Sequence, residues 1–238
     1  MLKIDLHTHS LSSGHALNTV YELAKEASRK KLTILGIADH GSSMEGAPHE
    51  GYFWISDKLS KLYGVEILLG SEVNIINKSG ELDLSKKCLE KQKIVIACIH
   101  EKTHYKNISI RDNTLALTNA MNNPHVKIIS HPIRPEFKVN IKQLVESACS
   151  TKTLLELNDQ LFEREQGNES LLEQYYLLIS LCKKYGAPII IGSDAHLANR
   201  IGEDKHVMAV RKQIGLTNNM IINNRERDLR LFLGNKSY

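Results

Sequence analysis

The chain has 238 residues, enough for one large domain or two small ones, and α/β barrels of this length are commonly single domains. A net charge of +4 with 42% apolar and 24% charged residues is ordinary for a globular protein; it suits an anionic substrate without demanding one. No apolar run approaches the roughly 18 residues of a membrane span, and Met1-Leu2-Lys3-Ile4-Asp5 is no signal peptide, so a cytoplasmic protein without membrane contact is expected.

Short apolar, β-branched runs alternate with helical patterns along the chain. Leu2–His7, Leu32–His40, Glu66–Ile75, Lys93–His100, Val126–His131, Thr153–Asn158 and Pro188–Asp194 read as strands. Their near-continuous Ile, Val and Leu content is that of parallel strands covered on both faces. Asn18–Lys31 reads as the first helix, with Val20, Leu23, Ala24 and Ala27 on one face and a Thr19/Glu22 capping box. Segments near Tyr52–Tyr63, Arg111–Asn122, Ile141–Ser150 and Ser170–Tyr185 fit the same role. Lys78–Ser85 reads as a small hairpin turning at Ser79-Gly80, and Leu229, Leu231, Phe232 and Leu233 suggest a last outer helix. The β-α repetition, continued seven times, predicts an α/β fold, one barrel-like domain over residues 1–238. An open doubly wound sheet is disfavoured because no glycine-rich phosphate loop follows the first strand.

The chain holds 11 histidines, and their placement carries the chemistry. His7 ends the first expected strand and His9 follows; His40 ends the second; the third reaches Glu72; His100 and His131 end the fourth and fifth; Asp194 ends the seventh, followed by His196. In an α/β barrel the carboxyl ends of the strands converge on one face. His7 and His9 share a face of an extended segment, with Asp5 one pleat deeper as a possible partner to a liganding imidazole. His15 lies in the following loop, where it could reach back over the pocket. One HxH alone is weak, but His7, His9, His15, His40, Glu72, His100, His131, Asp194 and His196 together exceed what one ion needs. They suit three divalent ions, or two with a crowded shell. Zinc is the leading candidate, with manganese or iron as alternatives, because imidazole with carboxylate disfavours magnesium and calcium.

Other chemistries lack their signatures. There is no GxSxG elbow, no P-loop and no paired CxxC. Cys88, Cys98, Cys149 and Cys182 read as free thiols in a reducing compartment. His125 and His206 fall outside the strand-end pattern, whereas His49 and His104 could line the pocket mouth.

The segment Asp5-Leu-His7-Thr-His9-Ser10 followed by His15 resembles the opening of the PHP (polymerase and histidinol phosphatase) family. Ile37-Ala38-Asp39-His40-Gly41, Glu72 within Gly70–Asn74, His100, Ser130-His131-Pro132 and Gly192-Ser193-Asp194-Ala-His196 complete the resemblance. Met44–His49, Ile99-His100-Glu101 and Leu155–Asn158 look like the YcdX-like phosphatases within it. The resemblance implies a distorted TIM-like (β/α)7 barrel with a trinuclear site that cleaves phosphate esters with a metal-bound hydroxide. His7, His9, Glu72 and Asp194 would surround one ion, Glu72 would bridge to a second held by His100 and His131, and His15, His40 and His196 would hold the third. Glu72, His9 and Asp194 are then the catalytic candidates. Ile133-Arg134 departs from the small or neutral residues expected after His131-Pro132, so Arg134 is either a phosphate contact or a loop charge. Arg134, His49, Lys102 and His104 are the candidate substrate contacts. The expected partner is a small phosphorylated substrate, most simply a phosphomonoester. A phosphodiesterase or 3′-exonuclease acting on nucleic acid, an amidohydrolase-type C–N hydrolase and a non-catalytic metal-binding module remain open.

Overall fold

Residues 1–101, 103–106 and 109–234 are described by a computed structural model. The strands are β1 (Ile4–Asp5), β2 (Ile34–His40), β3 (Lys61–Leu62), β4 (Val65–Asn74), β5 (Ile94–Cys98), β6 (Ile128–Ile129), β7 (Leu154–Asn158) and β8 (Ile189–Gly192). Seven of them form one parallel sheet in the order β1-β2-β4-β5-β6-β7-β8. The sheet comes round to a nearly closed barrel. Asp194 N–H donates to the His7 carbonyl and His9 N–H to the Ala195 carbonyl, each at 2.9 Å, beside a parallel bridge between Thr8 and Ala195. This is the TIM-like α/β barrel that the alternating pattern predicts.

Register and parity explain where side chains go. Ile4, Ile34, Ile94, Ile96, Ile128, Leu154 and Ile190 belong to one buried cluster that fills the barrel, joined by Leu229 of the last helix. The alternate positions Leu35, Ile37, Val95, Ala97, Leu155 and Ile191 pack outward against helices. Those helices are α1 (Val20–Arg29), α2 (Lys86–Leu89), α3 (Ile110–Met121), α4 (Ile141–Thr151), α5 (Asp159–Arg164), α6 (Glu169–Tyr185), α7 (Lys205–Val210) and α8 (Glu226–Leu233). The capping box of α1 forms with both reciprocal bonds, and Leu23, Ala24 and Ala27 bury its inner face. Removing Leu23 would cost about 3 kcal/mol, the usual loss for a large core side chain. None of the described helices is long and apolar enough to cross a membrane.

Two local expectations change. Tyr52–Tyr63 is no α-helix: Glu50–Ile55 winds as a 3₁₀ segment, and β3 then turns back antiparallel onto β4. Tyr63 (φ 46°) and Gly64 (φ 83°) are both left-handed, which is the two-residue turn that joins twisted strands. The apolar spacing at Phe53, Leu59 and Leu62 imitates a helix because those side chains reach the core from irregular backbone. Residues 78–85 form a turn with a single antiparallel bridge, Ile75 to Leu82, rather than a full hairpin.

Candidate metal centre

The carboxyl ends of the strands carry the chemistry because their inward positions continue past the apolar fill. On β5 the inward residues run Ile94, Ile96, Cys98 and then His100. On β4 they end in Glu72 and Asn74, and on β2 in His40. Two further residues reach the same space from left-handed backbone. His131 (φ 29°) and Asp194 (φ 54°) are non-glycine residues with left-handed torsions, and both sit just after a strand.

The side chains named from the sequence meet in one cluster. His7, His9, His40, Glu72, His100, His131 and Asp194 are buried, His196 is half-buried and His15 is exposed. Nε2 of His7 lies 3.1 Å from Nε2 of His9, and 3.3 Å from Glu72 Oε1. Asp194 Oδ1 is 3.1 Å from His9 Nε2 and 3.6 Å from His7 Nε2. Glu72 Oε1 is 3.1 Å from His131 Nε2, and Oε2 is 3.1 Å from His40 Nδ1 and 3.8 Å from His100 Nε2. His40 and His15 approach at 3.2 Å through their Nε2 atoms, and His196 stacks on His9 and His15.

Hydrogen bonding determines which nitrogen each ring offers. Glu156 Oε1 accepts from His7 Nδ1 at 2.7 Å. Ser13 Oγ donates to Asp39 at 2.6 Å, so it must accept from His9 Nδ1 at 2.9 Å. Asn74 turns its amide nitrogen to Asp83, so its oxygen accepts from His100 Nδ1 at 2.8 Å. The Asp194 backbone carbonyl accepts from His196 Nδ1 at 2.9 Å. Four rings are thereby held with Nδ1 bonded to an acceptor and Nε2 turned to the cluster, the arrangement found around liganding histidines.

The residues fit a divalent metal on their own chemistry. Nδ1 of His40 and of His131, Nε2 of His196, Glu72 Oε2 and Asp194 Oδ1 are buried with no hydrogen-bond partner. Unpaired lone pairs packed together cost free energy unless a cation answers them. Separations of 3.1–3.8 Å also bracket the edge of a tetrahedron with bonds of about 2.0–2.1 Å, roughly 3.4 Å. Among the described residues three such groups form: Glu72, Cys98, His100 and His131; His9, His40 and His196; and His7, His9 and Asp194.

The charges interlock. Burial pulls His7 down, but Glu156, Glu72 and Asp194 together outweigh it and hold the imidazole well above its ordinary value of 6.5. Burial and the neighbouring His40 push His9 well below that value, and burial does the same to His100. Glu72 and Asp194 resist burial and stay well below the usual carboxylate range because of the histidines around them.

A cleft of about 580 Å³ opens over the cluster, lined by His15, His40, His100, His131, Asp194 and His196. Met44, Arg134, Asn158, Gln160, Glu163 and Arg164 line it as well. Arg134 therefore faces the cleft, with its side chain 10% exposed, over the Phe137 ring and 3.4 Å from Glu136. His49 is exposed and caps the 3₁₀ segment by accepting from Gly51 N–H, and His104 is exposed; neither lines the cleft. Lys102 lies outside the described residues.

Several supporting residues escape a sequence reading. Asp5 touches no imidazole: its carboxylate accepts from Ser193 N and Oγ, Gly202 N and His7 N, tying the start of the barrel to its end. Regular β1 ends at Asp5, so strand parity does not carry through to His7. The partner of His7 is instead Glu156, on the opposite side of the seam. Gly192 makes room for it, since a Cβ there would collide with the Glu156 carboxylate. The sequence signal was the inward parity of Glu156 and Asn158 on β7. Cys98 also belongs to the cluster, 3.3 Å from His100 Nδ1 and two residues before it.

Comparison with known proteins agrees with this geometry. The sequence model of the PHP domain matches residues 5–226. A probable phosphatase of Clostridium novyi (strain NT) is 37% identical, covering 98% of this chain and 95% of that protein. One from Thermoanaerobacter sp. (strain X514) is 38% identical over 93% of this chain and 90% of its own. Histidinol phosphate phosphatase from Lactococcus lactis subsp. lactis Il1403, solved with zinc, L-histidinol and phosphate, shares the fold. Its TM-score is 0.62 at 16% identity, with 90% of this chain and 94% of that one covered. A chain in the structure of archaeal ribonuclease P with mature tRNA aligns with a TM-score of 0.59 at 16% identity, covering 96% and 89%.

Proposed function

The chain belongs to the PHP family, and from that premise we propose that residues 1–238 are one phosphatase domain acting on small phosphomonoesters at a trinuclear site. It is a metal-dependent hydrolase of phosphate esters. The observation that carries the reading is the set of imidazoles held at Nδ1, whose Nε2 lone pairs converge on two carboxylates.

His7, His9, Glu72 and Asp194 would hold one ion; Glu72, His100 and His131 a second; His15, His40 and His196 a third. Zinc suits this nitrogen-rich set, with manganese or iron as the alternatives. Bound divalent ions supply Lewis acidity towards phosphate oxygens and an activated water at neutral pH. The protein's own groups do the rest. Glu156 and Ser13 fix the tautomers of His7 and His9. Asn158 donates to Asp194 Oδ2 at 3.1 Å, which leaves Oδ1 turned into the cluster. Ser130 donates to Glu72 Oε1 at 2.6 Å and steadies the carboxylate shared by two groups. Arg134, and Arg164 at the cleft rim, offer guanidinium donors to phosphate oxygens. Glu163 lines the cleft together with the arginines, so its wall is not uniformly basic, which suits a compact monoester better than a long polyanion. Similarity to curated phosphatases supports the same choice, and the residues around Met44–His49 favour the YcdX-like subgroup.

Elemental analysis of the purified protein, combined with phosphate release from monoesters and diesters, tests the reading. Three ions per chain and release from monoesters are expected. Glu72→Ala should abolish turnover and lower the ion count while the fold persists. Full activity in that variant, or cleavage confined to diesters, would overturn it.

A further inference from the structure

We propose that Asp83, which touches none of the expected metal ligands, is a positioning residue for the metal centre: acting through Asn74, it decides that His100 meets an acceptor behind the cluster. The inference rests on the metal-centre reading above and adds to it a residue outside the nine expected ligands.

The end of β4 supplies the link. Asn74 is its last residue, wholly buried and two positions after Glu72 on the same inward face. The side-chain oxygen of Asn74 lies 2.8 Å from His100 Nδ1. A carboxamide can turn either its oxygen or its NH2 to a neighbour, and a ring that binds metal through Nε2 needs the oxygen at Nδ1. Asp83 settles the choice. Its Oδ2 accepts from Asn74 Nδ2 at 2.6 Å and its Oδ1 from the Asn74 backbone N–H at 2.9 Å. A carboxylate offers acceptors alone, so the NH2 of Asn74 faces Asp83 and the oxygen faces His100.

A brace for the neighbouring turn explains less. Asp83 Oδ2 does accept from Ser43 N at 2.9 Å and from Ser43 Oγ at 2.8 Å. Ser43 belongs to the turn after β2, closed by Met44 N–H on the Gly41 carbonyl at 3.1 Å. A turn brace would need only those two donors, yet the other two come from the residue behind His100. The backbone also makes room for this approach. A Cβ on Gly41 would collide with both carboxylate oxygens of Asp83, and Gly41 is the residue that follows His40. Asp83 N–H returns to the Asn74 carbonyl at 3.1 Å, so backbone and side chain hold the two residues together.

Zinc affinity, read by chelator competition, is the test. Asp83→Ala frees the Asn74 amide to turn, and one ion should be held about 10-fold more weakly, as when a hydrogen-bond partner behind a liganding imidazole is disturbed. Gly41→Ala displaces the carboxylate while leaving it chemically intact. It should show the same loss, and it decides the matter where Asp83→Ala fails to fold. The double variant Asn74→Asp, Asp83→Ala separates positioning from bracing. A carboxylate at position 74 presents an acceptor to His100 whichever way it turns, so Asp83 is no longer needed for orientation. Zinc affinity should return to within a few-fold of the wild type, while stability to denaturant stays lowered because the Ser43 donors have lost their partner. Unchanged zinc affinity in Asp83→Ala or in Gly41→Ala overturns the inference, as does a double variant that binds zinc no better than Asp83→Ala. If the wild type binds no zinc, the metal-centre reading falls as well. Zinc held equally by wild type and variants would sink only the role of Asp83.

Discussion

Glu156 Oε1 accepts a hydrogen bond from His7 Nδ1 at 2.7 Å, so a glutamate on β7 decides which nitrogen of a histidine beyond β1 faces the cluster. The two residues are 149 positions apart, and the barrel seam makes them neighbours. The same carboxylate accepts from the His131 backbone through Oε2 at 3.1 Å, which also steadies the strained turn after β6.

Glu156→Gln should therefore weaken metal binding about 10- to 100-fold, the usual cost of losing a hydrogen-bond partner behind a liganding imidazole. Chelator competition reads this directly. In the metal-free protein the His7 ring should also titrate lower, because burial then meets one fewer carboxylate. Unchanged affinity together with an unchanged His7 titration by NMR would contradict the role.

Metal binding should release protons in a pH-dependent way. His7 is held well above 6.5 without metal, so near neutrality an incoming ion displaces its proton. His9 and His100 are held well below 6.5 and are already neutral there, so they contribute none. Calorimetry of zinc binding in buffers of different ionisation enthalpy should show fewer protons released as pH rises through the His7 value. The stability linkage has the same sign: the His7 contribution is complete below 6.5 and is lost as pH rises through its folded value.

Arg134→Ala should raise KM for phosphomonoesters about 10- to 100-fold, the loss of one charge-assisted hydrogen bond of roughly 1.5–3 kcal/mol. Metal content should not change, since the guanidinium touches Phe137, Glu136 and the Ile99 carbonyl rather than the cluster donors. Arg164→Ala should do less, because that side chain is 48% exposed and pairs with Glu136 and Glu165. A KM unaltered by Arg134→Ala would reduce the residue to a structural loop charge.

Asp5→Asn should destabilise the metal-free protein by about 3 kcal/mol, measured by denaturant unfolding. The carboxylate answers four donors, and an amide would turn an NH2 group against two of them, leaving buried donors unpaired. Burial raises the Asp5 carboxyl to about 6, yet those donors still require two acceptor oxygens. Stability indistinguishable from the wild type would show that the seam does not depend on this residue.

Much of the molecule was legible in the amino-acid order. Continuous β-branched runs marked all seven barrel strands, and 3.6-residue periodicity with a Thr19/Glu22 box marked α1, because local patterns report local burial. Chemistry-bearing residues at strand ends marked one face, because parallel strands in a barrel deliver their carboxyl ends together. The sequence could not say that Asp5 braces the seam while Glu156 braces His7, since regular alternation stops after β1 and the pairing crosses the closure. Nor could it show the left-handed turns that carry His131 and Asp194 into the cluster, or that the Cys98 thiol lies beside His100 there. Tertiary structure decided those points because hydrogen-bond partners and donor separations depend on how distant strands meet. The nine residues proposed as ligands came from local order; which atom each one offers came from the fold.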